Sequence, residues 1–368
     1  MPRTVPDKLA EYGRDWGELG VKAWQRGWWE MPVEIGNEIA PLMNAGQGEV
    51  VMMPNVTIAQ SAVVSSVPFT RERDTIVMTS LDFPSVKYAY EELAKKFGAR
   101  IVVVESDDGI SIDEEKLLTA IDERTKLVAV SHVLFKSAFI NDADKICKRA
   151  HDMGALVSLD AFHSVGIVPV DVKQSGVDFL TGGVLKWICG GPGGCFLYVS
   201  PRVADTMAPA ITGWQAHARP FAFEEQMEYT SGPFRWLNGT PVIPALYACA
   251  EGAKILKRAG MRAIREKSMR QTNMLVAMAE ERGYRVHAPK DPARRGGTVA
   301  IDVDHGYEVA QELLSRNILV DYRVGAGIRV APHFFIRDDE VKSVVEAIDE
   351  ILESGAWQRF TERTAVVT

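Results

Sequence analysis

The sequence predicts an α/β protein, with a large domain on a mostly parallel sheet and a smaller C-terminal α+β domain. Three observations carry this. From residue 50 onward, short apolar runs alternate with amphipathic segments. The strand candidates are continuous apolar runs, as expected for strands buried on both faces. After Pro241 the pattern changes to long helices followed by two short strands. Such alternation builds a parallel sheet covered by helices, and ligands bind at the carboxyl ends of its strands.

Element by element, strands are predicted at 75–79 (TIVMT), 100–104 (RIVVV), 127–131 (LVAVS), 156–159 (LVSL), 179–181 and 195–199 (CFLYV). Helices are predicted at 85–97, 113–121, 143–153 and 172–176 between them. Helices at 245–258 and 261–282 open the C-terminal part. Strands at 297–303 and 327–330 and helices at 307–316 and 338–353 complete it. The Gly239-Thr240-Pro241 turn signal marks the boundary. Residues 1–44 are expected to form a helical arm in which Trp16, Trp24, Trp28 and Trp29 cluster. Aromatics crowded there serve the core or a dimer contact before a ligand. The predicted division is therefore an arm at 1–44 belonging with the small domain, a large domain at 45–245 and a small domain at 246–368.

Composition narrows the function. Of 368 residues, 46% are hydrophobic and 25% charged, an ordinary globular balance. The net charge of -7 gives no overall basic field for nucleic acid or an anionic membrane. No apolar run approaches the roughly 20 residues of a membrane span. The cysteines at 147, 189, 195 and 249 make no CxxC pair, so no metal site is expected and reduced thiols in a cytoplasmic protein are.

One pair of residues carries chemistry. Asp160 ends an apolar strand (LVSLD), and Lys186 follows another (DFLTGGVLK) 26 residues later. An amine can hold a cofactor aldehyde as a Schiff base. A buried carboxylate can keep a pyridine nitrogen protonated. Together they suit pyridoxal phosphate. Taken alone, the pair reads equally well as a turn-capping Asp and a solvated Lys.

The surrounding motifs resemble the class V aminotransferase superfamily of fold-type I pyridoxal phosphate enzymes, and within it the kynureninase family. DAFHSVG and VDFLTGGVLKWICGGPGGCFLYV are similar to its lysine region. NVT at 55–57, DFPSVKYAY at 82–90, GWQAH at 213–217, FRWLNGTPVI at 234–243 and GIRVAPHFF at 327–335 resemble further family motifs, in order, over roughly 280 residues. The resemblance implies pyridoxal 5'-phosphate as cofactor, with Lys186 as the Schiff-base lysine. It implies Asp160 on the pyridine nitrogen, His163 beside the ring and Phe83 stacked on its face, with Ser85 in the same segment. Val56 and Thr57 would meet the phosphate at a helix N-terminus. Trp214 and Asn238 would reach the site from a neighbouring subunit, making a homodimer with shared active sites. Arg329 would grip the carboxylate of a small-molecule amino acid substrate. His132 follows a strand at its ligand-binding end; it reads as a substrate contact or, more commonly for such a His, as a structural hydrogen-bonder.

The implied reaction is hydrolytic Cβ–Cγ cleavage of kynurenine or a related amino acid, releasing L-alanine, with Lys186 taking the Cα proton. Class V amino-group transfer, or lyase or epimerase chemistry, is the alternative, and a non-catalytic cofactor-binding relative is another. Three positions depart from the kynureninase pattern. Leu185 stands where the family has Tyr, Val86 where it has Asp, and Gln215 where it has Phe. Desulfurase chemistry needs a reactive Cys in a loop well after the lysine; the last cysteine, Cys249, lies in an apolar helical segment.

Overall fold

The computed structural model describes residues 1–361. Its elements are α1 (Val5–Leu19), α2 (Met31–Ile39), β1 (Val50–Met53), α3 (Val56–Ser66), β2 (Thr75–Thr79), α4 (Pro84–Phe97), β3 (Arg100–Val104), α5 (Glu114–Ala120), β4 (Thr125–Ser131), α6 (Ala143–Asp152), β5 (Leu156–Asp160), α7 (Val172–Ser175), β6 (Phe179–Gly183) and β7 (Cys195–Val199). Then come α8 (Ile243–Ala259), α9 (Met261–Glu281), β8 (Arg285–Val286), β9 (Val299–Asp302), α10 (Gly306–Ser315), β10 (Asp321–Arg323), β11 (Gly327–Val330) and α11 (Asp338–Ser354).

The large sheet has seven strands in the order β1-β7-β6-β5-β4-β2-β3. β2 to β6 pair in parallel, and β7 runs antiparallel to both β6 and β1. Alternate side chains feed two cores. Ile76, Met78, Leu127 and Ala129 pack against α3 and α4, while Val77, Val128, Val130 and Leu159 pack on the opposite side. Burial on both faces is why these strands read as unbroken apolar runs. A second, antiparallel sheet, β10-β11-β9-β8, is covered by α9, α10 and α11 around Leu275, Val299, Ile328 and Val345.

The tryptophan-rich arm packs on α8 and β1. Trp28 is buried, and its Nε1 donates to the Tyr247 hydroxyl at 2.9 Å. That hydroxyl in turn donates to Asp15 at 2.5 Å. α8 approaches the lysine loop so closely that a Cβ on Gly252 would lie 1.5 Å from the Ile188 carbonyl oxygen.

Three elements, β1, β8 and β10, lie outside the predicted set, and α3 was expected only as a helix N-terminus at Val56 and Thr57, from the resemblance and not from its own period. β8 and β10 have only two and three residues, too short to show a period. α3 is buried almost all round, so it lacks the polar stripe that marks an amphipathic helix.

Candidate active site

A cavity of about 360 Å³ opens at the carboxyl ends of β1, β4, β5 and β6. Five of the residues singled out from sequence meet there directly: Val56, Phe83, Asp160, His163 and Lys186, with Arg329 closing one side.

The floor is the start of α3. Asn55 caps that helix, its side chain accepting from the Ile58 N–H at 3.0 Å. The first-turn N–H groups of a helix have no intrahelical acceptors. Val56 and Thr57 therefore offer donors at the positive end of the dipole, suited to a phosphate. Asn55 and Val56 line the cavity; Thr57, on the first turn of α3, and Ser85, on that of α4, are not among its lining residues.

Asp160 is the last residue of β5, between Ser131 of β4 and Thr181 of β6. One carboxylate oxygen accepts from the Phe162 N–H at 2.9 Å. Burial raises its pKa to about 6, against the Phe162 N–H and Lys186, which favour the anion. A carboxylate so poorly solvated gains most from a cationic partner, which a protonated ring nitrogen supplies.

Lys186 Nζ is 2.6 Å from His163 Nε2 and sits 4.8 Å from the centre of the Phe162 ring. Burial, followed by Arg329 and Arg323, lowers the lysine pKa to about 8, while Asp160 and Asp321 oppose the shift. His163 is held neutral, well below its ordinary pKa, first by burial and then by Lys186. The lysine is brought this close because β6 ends in glycines. A Cβ on Gly183 would lie 2.2 Å from a Phe162 ring atom.

Asp82 ties the rim together. Its two carboxylate oxygens accept from the Thr79 N–H at 2.7 Å and the Ser131 N–H at 2.6 Å, bridging the ends of β2 and β4. The next residue, Phe83, meets Phe135 edge-to-face at 5.3 Å. Beside the main cavity lies a second lobe of about 260 Å³, sharing His163, Lys186 and Arg329 and adding Asp321, Thr298 and His333.

Other predicted residues lie elsewhere. The His132 N–H donates to the Asp160 carbonyl at 2.8 Å, but its ring lines a separate cavity with Asn141 and Asp142. That ring is buried, its Nδ1 has no partner among the described residues, and burial lowers its pKa to about 4. Trp214 and Asn238 are off the cavity. The Asn238 carbonyl accepts from the Gln215 N–H at 3.3 Å. Trp214 joins an outward-facing aromatic cluster, 4.9 Å from Trp29 and 5.7 Å from Phe221. Of the three departures, Leu185 lines the cavity with 48% exposure, Val86 is in the core, and Gln215 is buried off the cavity, its Nε2 without a partner among the described residues. Among the described residues no group of His, Cys, Asp and Glu could hold a metal ion.

Sequence reasoning passed over Asn55, Phe135, Phe162, Asp82, Asp321 and Arg323. The Asp-Tyr-Arg run six residues before Arg329 was the legible signal for the last two.

Fold and site together define a class: an α/β enzyme scaffold of fold type I, built to present a partly buried lysine between an aspartate and a histidine. More narrowly, the class-V aminotransferase family model matches residues 6–339, and the chain belongs to that family. It is similar to the kynureninase of Pseudomonas fluorescens, with 32% identity over 362 residues, covering 95% of this chain and 85% of that one. The kynureninase of Geobacillus thermodenitrificans (strain NG80-2) is 30% identical over 373 residues, covering 96% and 86%. Among solved structures, a cysteine desulfurase from Thermococcus onnurineus NA1 superposes with a TM-score of 0.84 at 23% identity, over 96% of this chain and 92% of that one. The cystine C-S lyase C-DES gives 0.84 at 17% identity, over 95% and 94%. At these identities the structural likeness speaks for the fold alone.

Proposed function

We propose that the protein is a pyridoxal phosphate-dependent, kynureninase-like hydrolase that cleaves the Cβ–Cγ bond of kynurenine or a related amino acid and releases L-alanine. The observation that carries the reading is the convergence of Lys186, His163, Asp160 and Arg329 on one cavity, in a chain 32% identical to a kynureninase. When bound, the cofactor would supply an aldehyde for the lysine and an electron-accepting ring.

This chain's residues would do the rest. The first-turn N–H groups of Val56 and Thr57 hold the phosphate. Phe83 and Asp160 would hold the ring, Phe83 through its apolar face, with Ser85 in the same segment, and Asp160 as the carboxylate that keeps a ring nitrogen protonated. Lys186 Nζ, close to half neutral near pH 8, takes the proton from Cα, with His163 Nε2 beside it. Arg329 orients the substrate through its carboxylate, and His132 supports the strand end behind Asp160 instead of touching substrate. Trp214, in an exposed aromatic cluster, and the half-buried Asn238 complete the site of a second copy in a homodimer. Unpaired cysteines suit a cytoplasmic enzyme. The chain divides into an arm at 1–44, a cofactor-binding domain at 45–245 and a small domain at 246–368.

Leu185, on the cavity wall where the kynureninase pattern has Tyr, favours a second reading: a substrate smaller or more polar than kynurenine, including amino-group transfer. The test compares kcat/KM for kynurenine with that for alanine, aspartate and cysteine sulfinate, scoring alanine release and keto-acid formation separately. Weak kynurenine cleavage beside faster turnover of a smaller substrate is expected. Keto-acid formation that requires an amino acceptor would replace the hydrolase reading with transamination.

A further inference from the structure

Arg329 is 8% exposed and its outer nitrogens are already committed. Nη1 donates to the Phe135 carbonyl, in the loop after β4, and Nη2 donates to Asp321. Nε is buried with no acceptor among the described residues. A buried donor left unpaired is costly, and the second lobe of the cavity beside Arg329 gives a ligand acceptor room to complete the set. A carboxylate resting on Nε–H and the remaining Nη2 hydrogen would form the bidentate fork that guanidinium favours.

What fixes that fork is sheet register. Asp321 of β10 stands directly opposite Arg329 of β11. The Asp321 carboxylate also takes Nη1 of Arg323, at 3.0 Å, and Arg323 reaches the main cavity. Two guanidinium groups share one carboxylate, so the cluster keeps one net positive charge. That is the complement of a single carboxylate and leaves no charge for a second acidic group on the substrate.

We propose that Asp321 is the positioning residue of the substrate-carboxylate site: anchored by Arg323, it holds the Arg329 guanidinium so that Nε and one Nη2 hydrogen stay free for the ligand. The inference rests on the reading that Arg329 takes the substrate carboxylate. It also has an electrostatic signature, because Asp321 favours the protonated form of Lys186 while Arg323 disfavours it.

The test uses the holoenzyme and L-alanine, whose binding is read as a change in the visible absorption spectrum. Asp321→Asn is expected to weaken L-alanine binding about tenfold, raise KM more than it changes kcat, and move the pH midpoint of cofactor absorbance downward. Asp321→Glu, which keeps the charge and displaces it, should bind L-alanine more weakly than the native protein and covers the case in which the Asn variant fails to fold. In Asp321→Asn/Arg323→Gln the net charge is restored. The absorbance midpoint should return toward the native value while L-alanine binding stays weak. Recovered binding in that double variant would reduce Asp321 to a charge effect and overturn positioning. Native affinity in both Asp321 variants, with affinity lost in Arg329→Lys, would overturn the proposal alone. Native affinity in Arg329→Lys as well would overturn the carboxylate reading beneath it.

Discussion

Cofactor capture should follow the pKa of Lys186, and the site gives that pKa a value. Nζ must be neutral to attack an aldehyde. Burial and the two arginines bring its pKa to about 8. At pH 7 roughly a tenth of the lysine is then neutral, against roughly 0.04% for an unperturbed lysine, a gain of roughly 200-fold. The assay mixes cofactor-free protein with pyridoxal 5'-phosphate and follows absorbance across the neutral to alkaline range. Nα-acetyl-lysine, measured in parallel, corrects for ionisation of the cofactor itself. The capture rate should rise with pH and level off above about pH 8. Two substitutions fix the signs. Asp160→Asn removes a carboxylate that favours the charged amine, so the midpoint should fall. Arg323→Gln removes a cation that disfavours it, so the midpoint should rise. A midpoint at the ordinary lysine value, or movement of both variants in one direction, would refute the electrostatic account.

Borohydride reduction of the holoenzyme should fix the cofactor on Lys186; peptide mapping to another lysine removes the assignment. Asp160→Asn should keep the fold but lose on the order of 3 kcal/mol of barrier reduction, about a hundredfold in kcat, because an amide does not hold the ring proton. Near-native turnover would make Asp160 a structural residue only. Arg329→Lys should raise KM for α-amino acids steeply with cofactor absorbance intact, since Lys keeps the charge and loses the fork; an unchanged KM places the carboxylate elsewhere. Gly252→Ala forces a methyl group against the Ile188 carbonyl. It should cost about 2 kcal/mol or more in denaturant unfolding, and a native midpoint would show that α8 can shift.

The large sheet was legible because two-sided burial writes itself as continuous apolar runs: β2, β3 and β7 fall on the predicted residues. Asp160 and Lys186 were visible as a strand-end carboxylate and a following lysine, but their roles, and that of His163, came from the resemblance of the surrounding motifs. What was not legible is set by three-dimensional approach. Asp82 precedes a matched motif, yet only the structure reveals its span from β2 to β4. Arg323 and Asp321 sit on a three-residue strand with no period, and their partnership with Arg329 depends on register across the hairpin. His132 points away from the cavity because side chains alternate along a strand. Ser131, one residue earlier, takes the inward place.

The Asp82 bridge bears on how such an enzyme changes over time. The rim that presents Phe83 and Ser131 is fastened through main-chain N–H groups, which every non-proline residue provides. Neighbouring side chains are thereby released from architectural duty. Leu185, half-exposed at the opening, can drift without moving the lysine or its aspartate. In this protein the wall that meets the substrate and the fastening of the scaffold rest on different groups. A lineage could exchange one amino acid substrate for another by altering the wall, with the cofactor cradle never passing through a nonfunctional intermediate.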